Sequence, residues 1–162
     1  MADQTDKTKL WDLVERLRIG MMTTRDEGVL RSRPMLAIVD RGNDELWFFT
    51  RQEHHQTSEV AEMADVNIAF ADATEQLYVS ISGEAEVLND HGRAKQLWID
   101  DLAPWFPDGP EDANLRLIRV HVRVAEYWDK QISDMARLWQ AAATTLSDRP
   151  GDVENRKLNV RG

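Results

Sequence analysis

A long alternation of apolar and basic residues over positions 115–128 constrains the fold more than any other part of the sequence. Its two sets are Leu117, Val120, Val122 and Val124, and Arg116, Arg119, His121 and Arg123. A period of two residues places one set on each face of a β-strand. The alternation slips once near Ile118, which predicts a β-bulge there. The segment therefore predicts a long strand of an antiparallel sheet.

The first half of the chain predicts a meander of hairpins. Three β-prone segments cover residues 19–24, 29–40 and 45–50. Turn-forming residues separate them at 25–28 and 41–44. Short polar turns between β-prone segments predict that consecutive strands pair as hairpins.

The second half of the chain mixes strands with short helices. Strands are predicted over 66–71 and Leu77–Leu88, and Gly83 predicts a bulge or bend in the second of them. Asp90 or its neighbour is the predicted N-cap of one helix. Helical spacing of apolar residues predicts helices over 9–18, 54–64, 90–98 and 132–146.

About six antiparallel strands with flanking helices predict a mainly β fold, either a small barrel or a sandwich. A chain of 162 residues suits one domain. We expect a loose tail over 1–8, a domain over 9–146 and a polar, fraying tail over 147–162.

The charge balance and the cysteine count exclude several classes of function. The net charge of −9 repels phosphate backbones and anionic lipids, so we expect no nucleic-acid partner. The chain has no cysteine, which excludes disulfides, thiolate catalysis and Cys-based zinc sites. Its first residues are polar, and no apolar run reaches membrane-spanning length. These features predict a cytoplasmic protein with no membrane partner.

The adjacent pair His54 and His55 is the one feature that invites a metal site. Neighbouring helical residues point about 100° apart, which makes a poor chelate. Glu59 alone follows His55 at a helical spacing of four. We therefore expect no metal. The sequence also lacks a Gly-rich phosphate loop and a Gly-x-Ser-x-Gly motif, and no residue stands out as a general acid or base.

Six short segments occur in an order that resembles one family. They are RSRPM at 31–35, LWFFT at 46–50, VNIAF at 66–70, YVSISG at 78–83, WFP at 105–107 and EYWD at 126–129. Each segment is weak alone, and the ordered set is the specific signal. Over about residues 9–140 the chain resembles the pyridoxamine 5′-phosphate oxidase-related superfamily, and within it the bacterial general stress protein branch.

The resemblance implies a six-stranded antiparallel split β-barrel that forms a homodimer. It also implies a cleft for flavin mononucleotide (FMN) at the subunit interface. FAD or no flavin are the alternatives for this cleft, and a deazaflavin or a haem is a weaker one. Pyridoxamine 5′-phosphate oxidase activity itself is not expected, because the branch that the chain resembles does not show the substrate-phosphate signature of the true oxidases.

Arg33 is the candidate phosphate clamp that the resemblance favours. An Arg binds a phosphate through two charge-assisted hydrogen bonds. Pro34 and Met35 follow it, at a point where the backbone of family members runs along the flavin ring. Arg31 shares a face with Arg33 on an ideal strand and is a second candidate cation. A surface ion pair is the alternative role for Arg33.

Further candidate residues come from three other segments. Phe48 and Phe49 face opposite ways, so one of them can approach a ring and the other belongs to the core. Core or dimer packing is the alternative role for each of the aromatic candidates. The cofactor-binding candidates from these segments are Phe49, Thr50, Arg51, Tyr78, Ser80 and Trp105.

The segment after Arg51 departs from the family pattern. Family members carry a phosphate-binding Lys there, and counting back from VNIAF places Gln56 at that position. Arg51, His54 or His55 are candidates to compensate, and a helix N-terminus also favours anions. A lost ammonium costs about 1–3 kcal/mol of binding free energy. Weak flavin binding, another phosphorylated ligand and no ligand all remain open.

Two functional hypotheses follow from these residues. The first is a flavin-binding redox protein, an FMN-dependent oxidoreductase in which the chain orients the ring and the cofactor supplies the chemistry. It includes a role in stress, from the branch that the chain resembles. The second is a non-enzymatic binding or sensor protein on the same dimeric barrel, which the absent Lys favours.

Overall fold

A computed structural model describes residues 4–52, 63–129 and 154–160 of the chain. The α-helices among these residues are α1 (Gln4–Leu17) and α2 (His91–Leu97), and two short 3-10 helices cover Asp100–Leu102 and Gly109–Glu111. The strands are β1 (Ile19–Asp26), β2 (Val29–Leu36), β3 (Ile38–Asp40), β4 (Glu45–Arg51), β5 (Ala64–Asp72), β6 (Leu77–Leu88), β7 (Leu115–Asp129) and β8 (Glu154–Asn159).

The strands form one antiparallel sheet in the order β2-β1-β5-β6-β7-β4-β3, and β8 pairs with β7. Strands β2 and β3 lie at opposite ends of this order although one residue separates them in the chain. The sheet must therefore curl until its ends meet, which is a split barrel. The predicted fold class is confirmed, with eight described strands where six were predicted.

The predicted strand over 29–40 is two strands, and the prediction of one was wrong. Residues Val29–Leu36 pair with β1, whereas Ile38–Asp40 pair with β4. Between them the amide of Ala37 donates to the carbonyl of Arg18 at 2.8 Å. This contact takes Ala37 out of the β-ladder and lets the chain change neighbours.

A bulge lies where β6 and β7 pair, and Gly83 marks it as predicted. Ser82 is opposite Val124 and Gly83 is opposite Val122, so Arg123 is the extra residue. A Cβ on Gly83 would lie 2.2 Å from the carbonyl oxygen of His121, so glycine is required there.

The second predicted bulge, near Ile118, is wrong. Leu117 and Ile118 are both buried because both faces of the sheet are covered at this point. The alternation changes instead at Arg123, where the residues facing the main core switch parity. Those core residues are Ile118, Val120 and Val122 before the bulge, and Ala125 and Tyr127 after it.

The main core fills the barrel, and α1 closes it with Leu10, Leu13 and Val14. A second core lies on the outer side of β4 and β7, under α2 and the loop that follows it. Helix α2 begins after Asp90, whose side chain accepts from the amide of Arg93 at 2.8 Å, as the predicted N-cap. The second core comprises Trp47, Phe49, Ala94, Leu102, Phe106, Leu115 and Leu117.

Parts of both predicted tails lie in regular elements of the structure. Helix α1 begins at Gln4 rather than residue 9, and the Nζ of Lys7 lies 2.7 Å from Asp44. Residues Glu154–Asn159 pair with β7 instead of fraying. They pair with the second half of β7, whose first half pairs with β4 along the same edge. Leu158 is buried in the main core. Most of the predicted helix over 54–64, and the one over 132–146, lie outside the described residues.

Across the described residues, no helix combines the length and apolar character that crossing a membrane requires.

Candidate ligand cleft

A cleft of about 420 Å³ opens at one end of β4, where β2 approaches the loop after α2. Its size falls within the range of about 300–1,000 Å³ that small-molecule sites occupy. Most of its lining is apolar, as such sites require. The lining residues are Ile19, Pro34, Met35, Leu36, Phe49, Thr50, Arg51, Leu102, Trp105 and Phe106.

The aromatic wall of the cleft is held rigidly. Phe49 makes an edge contact with Trp98, with ring centroids 5.8 Å apart and planes at 80°. Phe49 also packs against Phe106 at 6.0 Å. Both phenyl rings are buried. Edge and offset contacts of this kind add to the free energy of burial, so the wall is present before any ligand arrives.

The loop over residues 98–112, called here the roof loop, covers one side of the cleft. Arg18 forms an ion pair with Asp101 and so ties this loop to the start of β1. Arg18 has a φ of 63°, the left-handed region, where it connects α1 to β1. Trp105 stands on the rim with 61% of its surface exposed.

Among the described residues that line the cleft, Arg51 carries the only charged side chain. Its Nη2 donates to the carbonyl oxygen of Trp105 at 3.1 Å. The guanidinium lies 5.6 Å from the ring centroid of Phe106, and Nη2 lies 3.8 Å from Asp112. These contacts hold a cation at the mouth of an apolar cavity, which is an arrangement suited to an anionic group on a largely apolar ligand.

The cleft brings together several residues that the sequence predicted. Pro34, Met35, Phe49, Thr50, Arg51 and Trp105 all line it. His55 and Gln56 lie outside the described residues. Their place at the cleft stays a prediction.

Three predicted residues do not line the cleft. Arg33 is half-buried on β2 opposite Met22, on the other face of the strand from Pro34 and Leu36. Tyr78 and Ser80 lie on the outer side of β6, where Ser80 accepts a hydrogen bond from Asn67 at 2.9 Å. Tyr78 and Ser80 share the outer side of the sheet with Met21, and β5 separates them from the cleft strands β1 and β2.

Ile19, Leu36 and Leu102 line the cleft but were not among the predicted candidates. Leu36 could have been found, because it shares a strand face with Pro34. Ile19 and Leu102 come from segments distant in sequence, so only the folded chain places them at the cleft.

The outer face of β1 and β2 carries exposed apolar residues, and it adjoins the cleft. Ile19, Met21 and Leu30 are 52%, 42% and 64% exposed. Met21 is opposite Pro34 on β2 and Ala69 on β5, so these side chains share one face. The outer face, defined by these residues, is continuous with the cleft because Ile19 and Pro34 belong to both.

A charged patch lies at the far end of the same side of β4 and β7, around Trp47. Arg93 and Arg119 flank the Trp47 ring, at 4.8 and 5.6 Å from its centroid. Hydrogen bonds from Arg119 hold the pKa of the Glu86 carboxyl below its usual range. His121 Nδ1 lies 3.0 Å from Glu45. These charges are paired with one another.

Within 4–52, 63–129 and 154–160, no three His, Asp or Glu side chains form a group that could hold a metal ion. The described lining of the cleft offers apolar walls, the Arg51 guanidinium and the Thr50 hydroxyl for binding a ligand.

Comparison with known proteins gives a consistent family match. The sequence profile of the family described as "Pyridoxamine 5′-phosphate oxidase like" matches residues 5–152. The protein bli-3 of Neurospora crassa is 30% identical over 147 residues, covering 84% of this chain and 70% of bli-3. General stress protein 26 of Bacillus subtilis is 28% identical over 127 residues, covering 74% of this chain and 86% of that protein.

Among solved structures, one similar chain is the general stress FMN/FAD binding protein of Xanthomonas citri. It is 27% identical and superposes with a TM-score of 0.69. The alignment covers 82% of this chain and 94% of that one.

Proposed function

The chain belongs to the pyridoxamine 5′-phosphate oxidase-like family, and we propose that it is a flavin-binding redox protein that holds FMN in the cleft beside Arg51. One observation carries the proposal. A cavity of about 420 Å³ joins apolar walls to the fixed guanidinium of Arg51, which matches an aromatic ring system that bears a phosphate. The Xanthomonas citri relative, described as binding FMN/FAD, supports flavin as the ligand class.

The residues present fit such a ligand. Phe49, Leu36 and Phe106 supply apolar surface for the ring, and Arg51 supplies the counter-charge for the phosphate. The backbone at Pro34 and Met35 lines the same cavity. A bound flavin supplies hydride or electron transfer, while these residues bind it, orient it and exclude water. FAD is the alternative flavin.

A homodimer is part of the proposal. Ile19, Met21 and Leu30 expose apolar surface that a second copy would remove from water. Because the outer face continues into the cleft, a partner there would also cover the open side of the ligand. We place this dimer in the cytoplasm, as the sequence predicts.

The flavin proposal is tested on protein purified without added cofactor. We expect absorbance bands of an oxidised flavin, or their appearance on titration with FMN, and mass analysis of the released ligand identifies it. Protein that stays colourless and does not quench FMN fluorescence would contradict the proposal.

The dimer is tested by sedimentation of matched variants. Met21→Glu places a charge on the outer face and should give a monomer, because burying it unpaired is costly. Val29→Glu is the control, since Val29 is 61% exposed but faces the opposite way on the hairpin. A monomeric parent protein rules the dimer out.

A non-enzymatic binding or sensor protein is the second candidate. It is favoured by the cleft lining within the described residues, which offers no carboxylate or imidazole for proton transfer. Flavin-dependent oxidation of a reduced nicotinamide by the purified protein would exclude this alternative. Flavin binding with no turnover of reduced nicotinamides would favour it.

A further inference from the structure

The roof loop ends at Asp112, a residue whose position the backbone fixes. Its Oδ1 accepts from the amide of Asn114 at 2.9 Å, and its carbonyl oxygen accepts from the amide of Leu115 at 3.1 Å. His91 Nε2 also lies 3.0 Å from that carbonyl. The Asp112 side chain is 7% exposed. This carboxylate therefore has little freedom to move.

The second carboxylate oxygen of Asp112 is directed at Arg51. This Oδ2 is buried and accepts no hydrogen bond from the described residues. It lies 3.8 Å from Nη2 of Arg51. A buried, incompletely bonded carboxylate is stabilised by a nearby opposite charge, so the two side chains hold each other in place.

Arg51 is consequently oriented before a ligand binds. The Phe106 ring lies against its guanidinium, and the carbonyl oxygen of Trp105 accepts a hydrogen bond from Nη2. The Asp112 carboxylate attracts the same group from the end of the roof loop. A guanidinium carries five N–H donors, and the Trp105 carbonyl engages one of its groups. A fixed cation binds an anion with a smaller loss of side-chain entropy than a mobile one.

We infer that Asp112 is a positioning residue that orients Arg51 toward the phosphate of the cleft ligand and thereby sets the preference for phosphorylated over unphosphorylated flavin. The inference rests on the proposed function and adds to it a selectivity device formed by the roof loop. If only its charge mattered, Asp112 would weaken the binding of a phosphate instead of supporting it. A carboxylate near the site repels a phosphate, and its removal should strengthen binding if orientation were unimportant.

The experiment uses the fact that the two models predict opposite changes in FMN affinity when the Asp112 charge is removed. Dissociation constants for FMN and riboflavin are measured by fluorescence quenching on the full chain and on Asp112→Asn, Arg51→Gln and Arg51→Lys. Asp108→Asn is the matched control, because it makes the same charge change on an exposed residue of the same loop. Riboflavin affinity reports an intact cleft in each variant.

We expect the parent protein to prefer FMN. The preference should fall about tenfold in Arg51→Gln, as for loss of a charged hydrogen bond. It should also fall in Asp112→Asn and in Arg51→Lys, which keeps the charge but not the planar fork. Asp108→Asn should keep it.

An unchanged or increased preference for FMN in Asp112→Asn overturns the inference. If Asp112→Asn does not fold, an unchanged preference in Arg51→Lys overturns it. A parent protein that binds FMN and riboflavin equally also overturns the inference and leaves the proposed function standing. A parent protein that binds neither flavin overturns both.

Discussion

Two arginines on the same side of the β4–β7 pair face very different surroundings. Arg51 lies at the mouth of the cleft, with its carboxylate partner 3.8 Å away and not hydrogen-bonded. Arg119 lies in the charged patch, where Nε donates to Glu86 at 2.7 Å and Nη2 bonds the same oxygen. Both guanidinium groups also contact an aromatic ring.

The difference teaches which arginine can serve a ligand. Arg119 directs two donors at one carboxylate oxygen, that of Glu86. Arg51 is held by a carbonyl, a ring and a more distant charge, beside space that a ligand can occupy. The availability of donors beside a cavity marks a binding site more surely than the presence of a cation.

The largest expected effect on stability comes from removing one aromatic ring from the cleft and one from the charged patch. Phe49→Ala and Trp47→Ala each remove a buried ring of the second core. Each should lower the free energy of unfolding by about 3–5 kcal/mol. Urea unfolding measures this loss. Flavin titration distinguishes the two variants, because Phe49 lines the cleft and Trp47 does not. Equal flavin affinity in both variants would remove the distinction between the regions.

The next effect is that of Arg119→Gln. It leaves Glu86 without its main partner, and we expect a loss of about 1–3 kcal/mol in the free energy of unfolding. FMN affinity should not change, in contrast to Arg51→Gln. Parallel urea unfolding and FMN titration of the two variants make the measurement. Loss of FMN binding in Arg119→Gln would show that the charged patch also serves the ligand.

A smaller effect is expected in acid. Arg119 lowers the pKa of Glu86, so the pair stabilises the fold fully above the unfolded-state pKa of about 4.3. That contribution is lost as the pH falls through the lower, folded-state pKa. Glu86→Gln should therefore cost about 1 kcal/mol at pH 7 and less at pH 3, by urea unfolding. An equal cost at both pH values would contradict this assignment.

The smallest effect on stability is expected for Trp105→Ala. Its ring is 61% exposed, so the free energy of unfolding should change by less than about 0.5 kcal/mol. If the rim of the cleft contacts the ligand, the variant should nevertheless bind FMN more weakly than the parent. Thermal unfolding and FMN titration test the two statements separately.

Local sequence patterns predicted the two longest strands, β6 and β7. The alternation over Leu77–Leu88 and 115–128 and the glycine at 83 are properties of neighbouring residues, and the structure has both strands and the bulge. The break at Ala37 depends instead on a hydrogen bond to Arg18, which no local pattern shows. Strand β8 is polar in sequence and forms because β7 offers an open edge.

Local patterns also predicted some of the residues that line the cleft, whereas others depend on contacts between distant segments. Pro34, Phe49 and Thr50 follow from strands that the sequence defines well. Arg33 as the phosphate clamp stays a prediction, and in the fold it lies on the face of β2 opposite to Pro34. Asp112 gave no signal, because its relation to Arg51 requires the roof loop to fold across β4.

The sheet order has a consequence for how the protein emerges from the ribosome. Strand β4 has β3 as a local neighbour, but its other neighbour, β7, begins at Leu115, long after β4 ends at Arg51. At about 5–20 residues per second, the intervening chain takes roughly 3–13 s to synthesise. During that interval the edge of β4, with its apolar side chains, has no strand to cover it. The nascent chain is therefore exposed to misassociation until β7 is made, and this stage is where a chaperone would have most to protect.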